Sequence, residues 1–599
     1  MGELFGICCL AGDLGPVESE LRQPRGSPAA QPTAAMSQRG NASIAQDHQS
    51  EGRMCHVDGR FDNAEILADG LGLRPADWKN NADLVLELFR RRGQAGLVEI
   101  VGDWSLALWD PHNRYLILAS DYAGNRPLHY HRDKDHVCWG TSLAALALRV
   151  RAAELDRDFV IETLAQGAAK ERTPYAGIRS VPAGSVLRIS FLGVQVVGEW
   201  QAPVDRETRL SDEASYADHL FALLQEAVAV RLRGQSKICA ELSGGLDSSS
   251  IVCMVKHLQS KGDIPETNVV TISYQAEGSS DESFRRTVEG TCNFPHHHVH
   301  LDDHGFIGAA HCGDARPAWW EPRHVHVAQV MERLNSSVLL TGQMGDLIMG
   351  NWFDGTGQVS HHIREGALGT ALGTALQWSL VQGTSLYPLL WRALTSLRVP
   401  GMPSANEQTS EADTSLTKSA LQRAREIRAT RDEAAKWRGA RPGRIQRLRA
   451  FVETLENRAL QCPEPLQGVS YSHPFTHRPL AEFMLEIPPD IVYGPGEPRR
   501  LMRRALSSIL PEEIVRRRSK AGYNSVFRKT LVPLAHGLAK DPRPLALEDQ
   551  GFLVGQNFRE RLRRLEQGLE CGEPQLRHLI LMELWLRSFT TKQKLTRAA

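Results

Sequence analysis

The sequence predicts two joined domains, a β-rich α+β domain and an α/β domain with a parallel sheet and a helical extension. Three observations predict this. In the first part of the chain, "YLILASDYAGNRPLHYHRD" and "GSVLRISFLGVQVVGEW" alternate apolar and polar residues between turns, the pattern of half-buried strands. From 236 to 342, short β-branched runs alternate with helical patterns, the rhythm of a parallel sheet with crossover helices. Beyond about 360 the chain reads almost entirely helical.

The elements follow in order. Residues 15–53, rich in Pro, Ala, Ser, Gln and Gly, read as a long mobile loop. The first domain is drawn as 1–205 and the second as 206–599. At the start of the second, Ser211 is the expected N-cap, with Asp212 and Glu213 in the first turn. Leu220, Leu223, Leu224, Ala227 and Val228 then form one apolar stripe. There follow "SKICAEL", a helix from Asp247, "NVVTISY", a helix near 282–291, "HHHVHL", a helix near 324–335 and "SSVLLTG". The segment 400–450 is highly charged and reads as partly solvated.

Composition narrows the function classes. Of 599 residues, 42% are apolar and 23% charged, the proportions of an ordinary globular protein. Seventy basic residues balance seventy acidic ones, so no global field argues for a nucleic-acid partner. The ten cysteines are scattered, with no C-x-x-C pair, and read as reduced thiols. The N-terminal "MGELFGICCLAG" has no basic n-region, and Gly6 stands where myristoylation needs Ser or Thr. No apolar run approaches the roughly 18 residues that span a bilayer. These features predict a cytoplasmic protein with no membrane partner.

The chemistry concentrates in "ELSGGLDSSSIVCMV", residues 241–255. A glycine turn between strand and helix aims backbone N–H groups and the positive helix end at an anion. The G-x-x-x-x-G-K-[ST] and G-x-G-x-x-G phosphate loops are both absent here. A second stretch, "SSVLLTGQMGDLIMGNW", again runs from a strand into glycines and an aspartate. Asp247 and Asp346 thus end two strands, where open α/β sheets bind ligands, and two carboxylates suit Mg2+ on a polyphosphate.

Ser243-Gly244-Gly245-x-Asp247-Ser248 resembles the pyrophosphate (PP) loop of the ATP-pyrophosphatases. Together with "TGQMGD" it resembles the asparagine synthetase family. "YSHPFTHRPLAEFMLEIPPDIV" is similar to that family's R-x-P-F-L-D-x-x-L-x-E-F stretch, and "LMRRALSSILPEEIVRRRSKAGYNS" to the passage that carries its catalytic lysine, here Lys520. The resemblance implies ATP as cosubstrate with Mg2+ on Asp247 and Asp346. It implies phosphate contacts from Ser243, Gly244, Gly245, Asp247, Ser248 and Gly342, and charge stabilisation by Lys520. Departures are Gln343 for the family's Glu, Leu347 for a second Glu, and Thr476-His477 for Leu-Asp. These are expected near the acyl-acceptor site.

The first 200 or so residues resemble the family's Ntn-type glutaminase domain, through "DWSLALWDPHNRYLILASDYAGNRPLHYH" and "TPYAGIRSVPAGSVLRI". That activity needs an N-terminal cysteine whose own α-amine serves as base. Gly2 stands there instead, Cys8 and Cys9 sit within a strand, and the family's Asn-Gly-Glu reads Asp58-Gly59-Arg60. A degenerate domain that hydrolyses no glutamine is expected. The amine then comes from the substrate, as in the lasso peptide macrolactam synthetases that resemble asparagine synthetase. That resemblance implies a precursor peptide as substrate and a leader peptidase or leader-recognition protein as partner, and the charged segment 400–450 offers a surface for gripping the peptide. The alternatives are an asparagine synthetase using free ammonia and a non-catalytic scaffold of the same fold. "HHHVH", Cys312, His324 and His326 fit no zinc-finger spacing and read as structural. Asp281 and Glu282 read as ordinary acids at a helix start and stay outside the site.

Overall fold

A computed structural model describes residues 3–10, 34–39, 43–46, 52–301, 322–397, 415–430, 437 and 441–598, apart from 153, 166–169, 265–266, 276–280, 352–353, 459 and 519–523. The first half holds strands β1 (Glu3–Cys9), β2 (Ala34–Arg39), β3 (Ser43–Gln46), β4 (Met54–Phe61), β5 (Gly102–Asp110), β6 (Tyr115–Ser120), β7 (His129–Arg132), β8 (His136–Gly140), β9 (Ile178–Ser180), β10 (Ser185–Ser190) and β11 (Gly193–Glu199). They form two antiparallel sheets, ordered β2-β1-β8-β7-β9 and β11-β10-β6-β5-β4-β3.

Strand periodicity explains how the layers stack. Along β5, Ala107 and Trp109 meet Cys8, Tyr130 and Trp139 of the other sheet. Trp104, Leu106 and Leu108 point the opposite way, into a core with Leu84, Val85 and Leu88 of the helix Asn81–Gly96. A helix at Leu143–Arg149 covers the outer face of the first sheet with Ile178. The result is a helix–sheet–sheet–helix sandwich. β2 and β3 correct the sequence reading of 15–53 as loop, and apart from residues 52 and 53 the rest of that stretch lies outside the described residues. Their residues, "AAMSQR" and "SIAQ", are too short and polar to carry a strand signal alone; pairing with β1 and β4 supplies it.

The second half is built on five parallel strands, β12 (Lys237–Glu241), β13 (Asn268–Gln275), β14 (His296–His300), β15 (Val338–Leu340) and β16 (Ser470–Ser472), ordered β14-β13-β12-β15-β16. The chain lays β13 and β14 to one side of β12, then returns to lay β15 and β16 on the other. The order therefore reverses between β12 and β15, and the crevice of such a sheet opens at their C-terminal ends. β16 is an exception within the almost entirely helical part past 360. Its three residues form a strand because β15 offers an edge, with Leu339 opposite Tyr471. The helix cap is also corrected. Asp212, not Ser211, accepts the N–H of Ser215 and caps Glu213–Leu232.

The basic segment near 450 is not a solvated face. Arg444 and Arg447, on the helix Pro442–Glu456, are buried. Arg444 donates to the carbonyls of Val204 (3.1 Å) and Leu485 (3.2 Å), and Arg447 to those of Met484 (2.8 Å) and Ile487 (2.7 Å). Burial pushes the Arg447 guanidinium down to about 10. These donors tie the helix Pro442–Glu456 to the segment at Val204 and to the C-terminal end of the helix Arg478–Glu486, whose last carbonyls have no partner within their own helix. Arg447→Met is expected to lower stability by about 3 kcal/mol, since two buried carbonyls lose charged donors. Urea unfolding followed by tryptophan fluorescence checks this, and an unchanged midpoint would contradict it.

The halves are joined by polar contacts. Tyr122 Oη donates to the Thr476 carbonyl (2.7 Å), and Asn125 Nδ2 bridges Asp103 Oδ1 (2.8 Å) and Thr476 Oγ1 (3.3 Å). A second core forms where Phe159 of the helix Arg157–Leu164 meets Trp585 of the C-terminal helix Glu573–Ala598. Among the described residues, no helix is long and apolar enough to cross a membrane.

Candidate functional site

The two loops singled out in the sequence flank the crevice. β12 runs into Ser243–Ser248 and β15 into Thr341–Asp346, and the strands pair through Ala240 and Leu340. Gly244 has φ +78°, and a Cβ there would meet Arg285 N at 2.6 Å. Only glycine allows both that backbone and that approach. The loop's hydroxyls are set by one another: Ser248 Oγ accepts from Ser243 N (3.1 Å) and lies 3.0 Å from Ser243 Oγ. Ser243 Oγ in turn accepts from Gly245 N (3.2 Å). The helix Leu246–Lys261 begins directly behind, so its positive end faces the crevice.

The second loop presses onto the first. A Cβ on Gly342 would reach Ser248 N at 2.8 Å, and one on Gly345 would reach Asp247 Oδ1 at 2.5 Å. Asp247 and Asp346 are thereby brought together. Arg499 Nη1 lies 2.7 Å from Asp247 Oδ2 and 3.1 Å from Asp346 Oδ1. Two carboxylate oxygens within reach of one cationic nitrogen define a point where a cation belongs, and an all-oxygen donor set with a glycine cradle around it fits Mg2+. Asn351 Nδ2 also donates to Asp346 Oδ1 (2.9 Å) and orients that carboxylate.

Three arginines, Arg499, Arg503 and Arg517, join the site without having been placed there from the sequence. Arg517 Nη1 donates to the Gly244 carbonyl (2.8 Å), and its Nη2 pairs with Asp281. Its guanidinium also lies 4.2 Å from the Phe284 ring centroid. Asp281 is thus part of the loop's support, not a plain helix-start acid. Arg499 and Arg503 come from "PRRLMRR", which reads as a solvated basic patch until the fold turns it inward. Burial, then Arg499 and Arg518, pushes Arg503 down to about 10. Arg499 and Arg517 are paired with Asp247, Asp346 and Asp281, and the helix N-terminus behind the loop offers a place for an anion. Lys520 lies outside the described residues.

Gln343 donates to Tyr471 Oη on β16, whose ring packs edge-on against His473. Thr476 and His477 do not lie with it. His477 is buried between Asp62 Oδ2 (3.4 Å) of the first half and Glu226 Oε1 (3.6 Å). This departure sits at the junction of the two halves, where a histidine can pair with acids of both.

That junction continues through Arg60. Its Nε lies 2.5 Å from Asp62 Oδ1 and its Nη2 2.9 Å from Asp103 Oδ2, and Arg231 Nη2 reaches Asp103 Oδ1 at 3.5 Å. Against the upward push of burial, the Arg60 guanidinium holds the Asp62 carboxyl down to about 2. Cys8 and Cys9 are buried, and burial raises the Cys8 thiol well above its usual range. At the histidine strand, His297 Nε2 lies 3.1 Å from His326 Nε2 and Ser273 Oγ 2.5 Å from His298 Nδ1. Glu289, His296 and His298 bring ligand atoms within 4.8 Å of one another, but both Glu289 oxygens lie 2.6 Å from Arg285 Nη1. Glu289 and His298 are half-buried and His296 is exposed. Cys312 lies outside the described residues.

Residues 219–587, more than half of the chain, match the family described as Asparagine synthase. The chain belongs to that family. Residues 47–200 match the glutamine amidotransferase domain. With the parallel sheet and its loop, the two matches give this asparagine synthase family member an Ntn-like domain followed by a PP-loop domain. Among curated relatives, asparagine synthetase [glutamine-hydrolyzing] 3 of Bacillus subtilis is 26% identical over 225 residues, 36% of each chain. Amidase chyE of Penicillium rubens is 27% identical over 227 residues, 35% of this chain and 33% of that one. The putative asparagine synthetase 2 of Methanocaldococcus jannaschii is 21% identical over 290 residues, 45% and 54% of the two chains. The chain thus spans about a third to a half of the length of these relatives. A solved glutamine phosphoribosylpyrophosphate amidotransferase from Bacillus subtilis gives a TM-score of 0.24 at 12% identity, over 57% of this chain and 85% of that one.

Proposed function

We propose that this asparagine synthase family member is an ATP-dependent carbon–nitrogen ligase acting on a precursor peptide. It adenylates a side-chain carboxylate of the peptide and closes a macrolactam with the peptide's own N-terminal amine. A carboxylate oxygen attacks the α-phosphorus and expels pyrophosphate; the amine nitrogen then attacks the acyl carbon, AMP leaves and one proton is lost. In this reading 206–599 is the synthetase domain and 1–205 a degenerate amidotransferase-like domain. A leader peptidase or leader-recognition protein would deliver the peptide.

The observation that carries the reading is the convergence of Asp247 and Asp346 at the switch point, above a loop of backbone donors and hydroxyls. Mg2+ held there would supply charge neutralisation on the triphosphate. Ser243, Gly244, Gly245, Ser248 and Gly342 would bind the phosphates through N–H and hydroxyl groups, with Arg503 and Arg517 keeping the surroundings positive. Lys520 would meet the charge that develops as the acyl group is transferred. That relatives carry the names asparagine synthetase and amidase supports amide chemistry at this site. The products test the ATP step. AMP and pyrophosphate are expected on incubation with ATP, magnesium and peptide, whereas ADP and phosphate would reject it.

The source of the amine rests on the first half. The Arg60 guanidinium stands where the family grips glutamine and is committed to Asp62 and Asp103. Cys8 and Cys9 are buried strand residues with no free α-amine. The purified protein is expected to release no glutamate from glutamine, with or without ATP. Release above a heat-treated control would reject this part of the reading.

A further inference from the structure

Two helices meet behind the loop Ser243–Ser248. Leu246–Lys261 starts from the loop itself, and Asp281–Cys292 packs beside it. The second helix supports the loop at two points. The Asp281 carboxylate holds Arg517, which donates from its other nitrogen to the Gly244 carbonyl (2.8 Å). The Arg285 N–H backs onto Gly244 so closely that a Cβ there would stand 2.6 Å away. Further along, the same two helices bring a pair of thiols together. Cys253 Sγ lies 3.7 Å from Cys292 Sγ, and both side chains are buried in one core with Leu246 and Val288. One thiol is thus on the helix that carries Asp247, and the other is the last residue of the helix that carries Asp281.

The setting of this pair differs from that of an inert buried thiol. Cys292 lies between exposed Thr291 and Asn293, and Asn293 takes a left-handed backbone (φ +53°) where the helix ends. Helix ends fray more readily than helix middles, so a small solute needs only that last turn to open to reach the sulfur. The two sulfurs are also unlike one another. Contact with Cys253 holds the Cys292 thiol below its usual range against the upward push of burial, and Lys256 adds to the effect. Contact with Cys292, then burial, pushes the Cys253 thiol upward. Lys256 is exposed, and its Nζ lies 5.6 Å from the ring centroid of Phe294, just past the end of the Cys292 helix. A thiol that ionises readily beside one that stays protonated is what disulfide formation uses, the first as attacking thiolate and the second as resolving partner.

We propose that Cys253 and Cys292 form a reversible disulfide under a two-electron oxidant of the peroxide class, and that closing it loosens the hold of the loop on ATP. The Cys292 thiolate attacks one peroxide oxygen, the O–O bond breaks, and the departing hydroxide is protonated to water. The Cys253 sulfur then attacks the Cys292 sulfenic acid, the S–O bond breaks, and hydroxide leaves with the Cys253 proton as a second water. Two electrons pass from the two sulfurs to the peroxide, and a dithiol returns them. A disulfide holds its sulfurs about 2.05 Å apart, so closure draws the two helices together. Gly244 has no slack against Arg285, and the loop has to shift. The effect on ATP rests on the reading of this loop as a nucleotide site; the disulfide itself does not.

The experiment treats the full chain with a few equivalents of hydrogen peroxide. Peptide mapping without reduction is followed by equilibrium binding of ATP with magnesium. Peptides joined through Cys253 and Cys292 are expected, and dithiothreitol is expected to separate them. The Kd for ATP is expected to be at least threefold higher in the oxidised protein than in the reduced one. Cys253→Ser and Cys292→Ser nearly keep the size of the side chain, and each is expected to bind ATP equally before and after peroxide. Two variants protect the test against one that folds poorly, with the melting temperature as the check. Oxidation of other thiols without the joined peptides would overturn the proposal. A joined pair that leaves ATP binding unchanged would overturn the coupling to the loop. If the reduced protein binds no ATP, it is the ligase reading that fails, and the joined peptides alone decide the disulfide.

Discussion

Asp247→Asn and Asp346→Asn are each expected to lower pyrophosphate release from ATP by about a thousandfold. The two carboxylates act as a unit, so losing either leaves a cation on the triphosphate half-held, and the double variant is expected to be little worse than each single one. The amide keeps the shape of the carboxylate, and the Gly345 backbone still has to pass Asp247 closely. Stability is a separate matter, because Arg499 pairs with both acids. Each single variant leaves Arg499 one partner, so the melting temperature is expected to change little. Near-normal turnover in a folded variant would show that these aspartates only fix Arg499.

Lys520→Met is expected to reduce amide closure about a hundredfold while ATP binding persists. A preorganised cation facing developing charge is commonly worth about 3 kcal/mol of barrier. Methionine keeps the apolar stem and removes the charge. Arg517 donates to the Gly244 carbonyl and pairs with Asp281. Equilibrium binding of ATP and single-turnover product formation separate the two effects, and an unchanged closure rate would make Lys520 a surface lysine.

What was legible in the sequence follows from range of interaction. Ser243–Ser248 and Thr341–Asp346 could be read because strand, glycine turn and helix start are local signals that occur within about ten residues. Their meeting depends on strand order, which no local pattern encodes; the pairing of Ala240 with Leu340 joins residues a hundred positions apart. β16 was missed for that reason, being three residues held by an edge already built. The arginines failed differently. In composition, Arg444, Arg447, Arg499 and Arg503 are charges on basic helices, and the default for such charges is solvent. Only the fold reveals that backbone carbonyls await the first two, that Arg499 pairs with Asp247 and that Arg503 is partly buried beside it. His477 shows the same limit in a motif: alignment to a familiar stretch located it, but its partners, Asp62 and Glu226, lie far off in the chain.

The most direct measurement of the central claim follows one oxygen. A leader-free peptide beginning with glycine and carrying a glutamate or aspartate some eight residues on (about one small ring), its side-chain carboxylate labelled with oxygen-18, is incubated with the full-length protein, ATP and magnesium. Mass spectrometry of peptide and nucleotide together is then expected to find a peptide lighter by one water and AMP carrying one labelled oxygen, in equal amounts and without added ammonia or glutamine. Unaltered peptide and unlabelled nucleotide, with conversion of aspartate and ammonia to asparagine in a parallel reaction, would contradict the account.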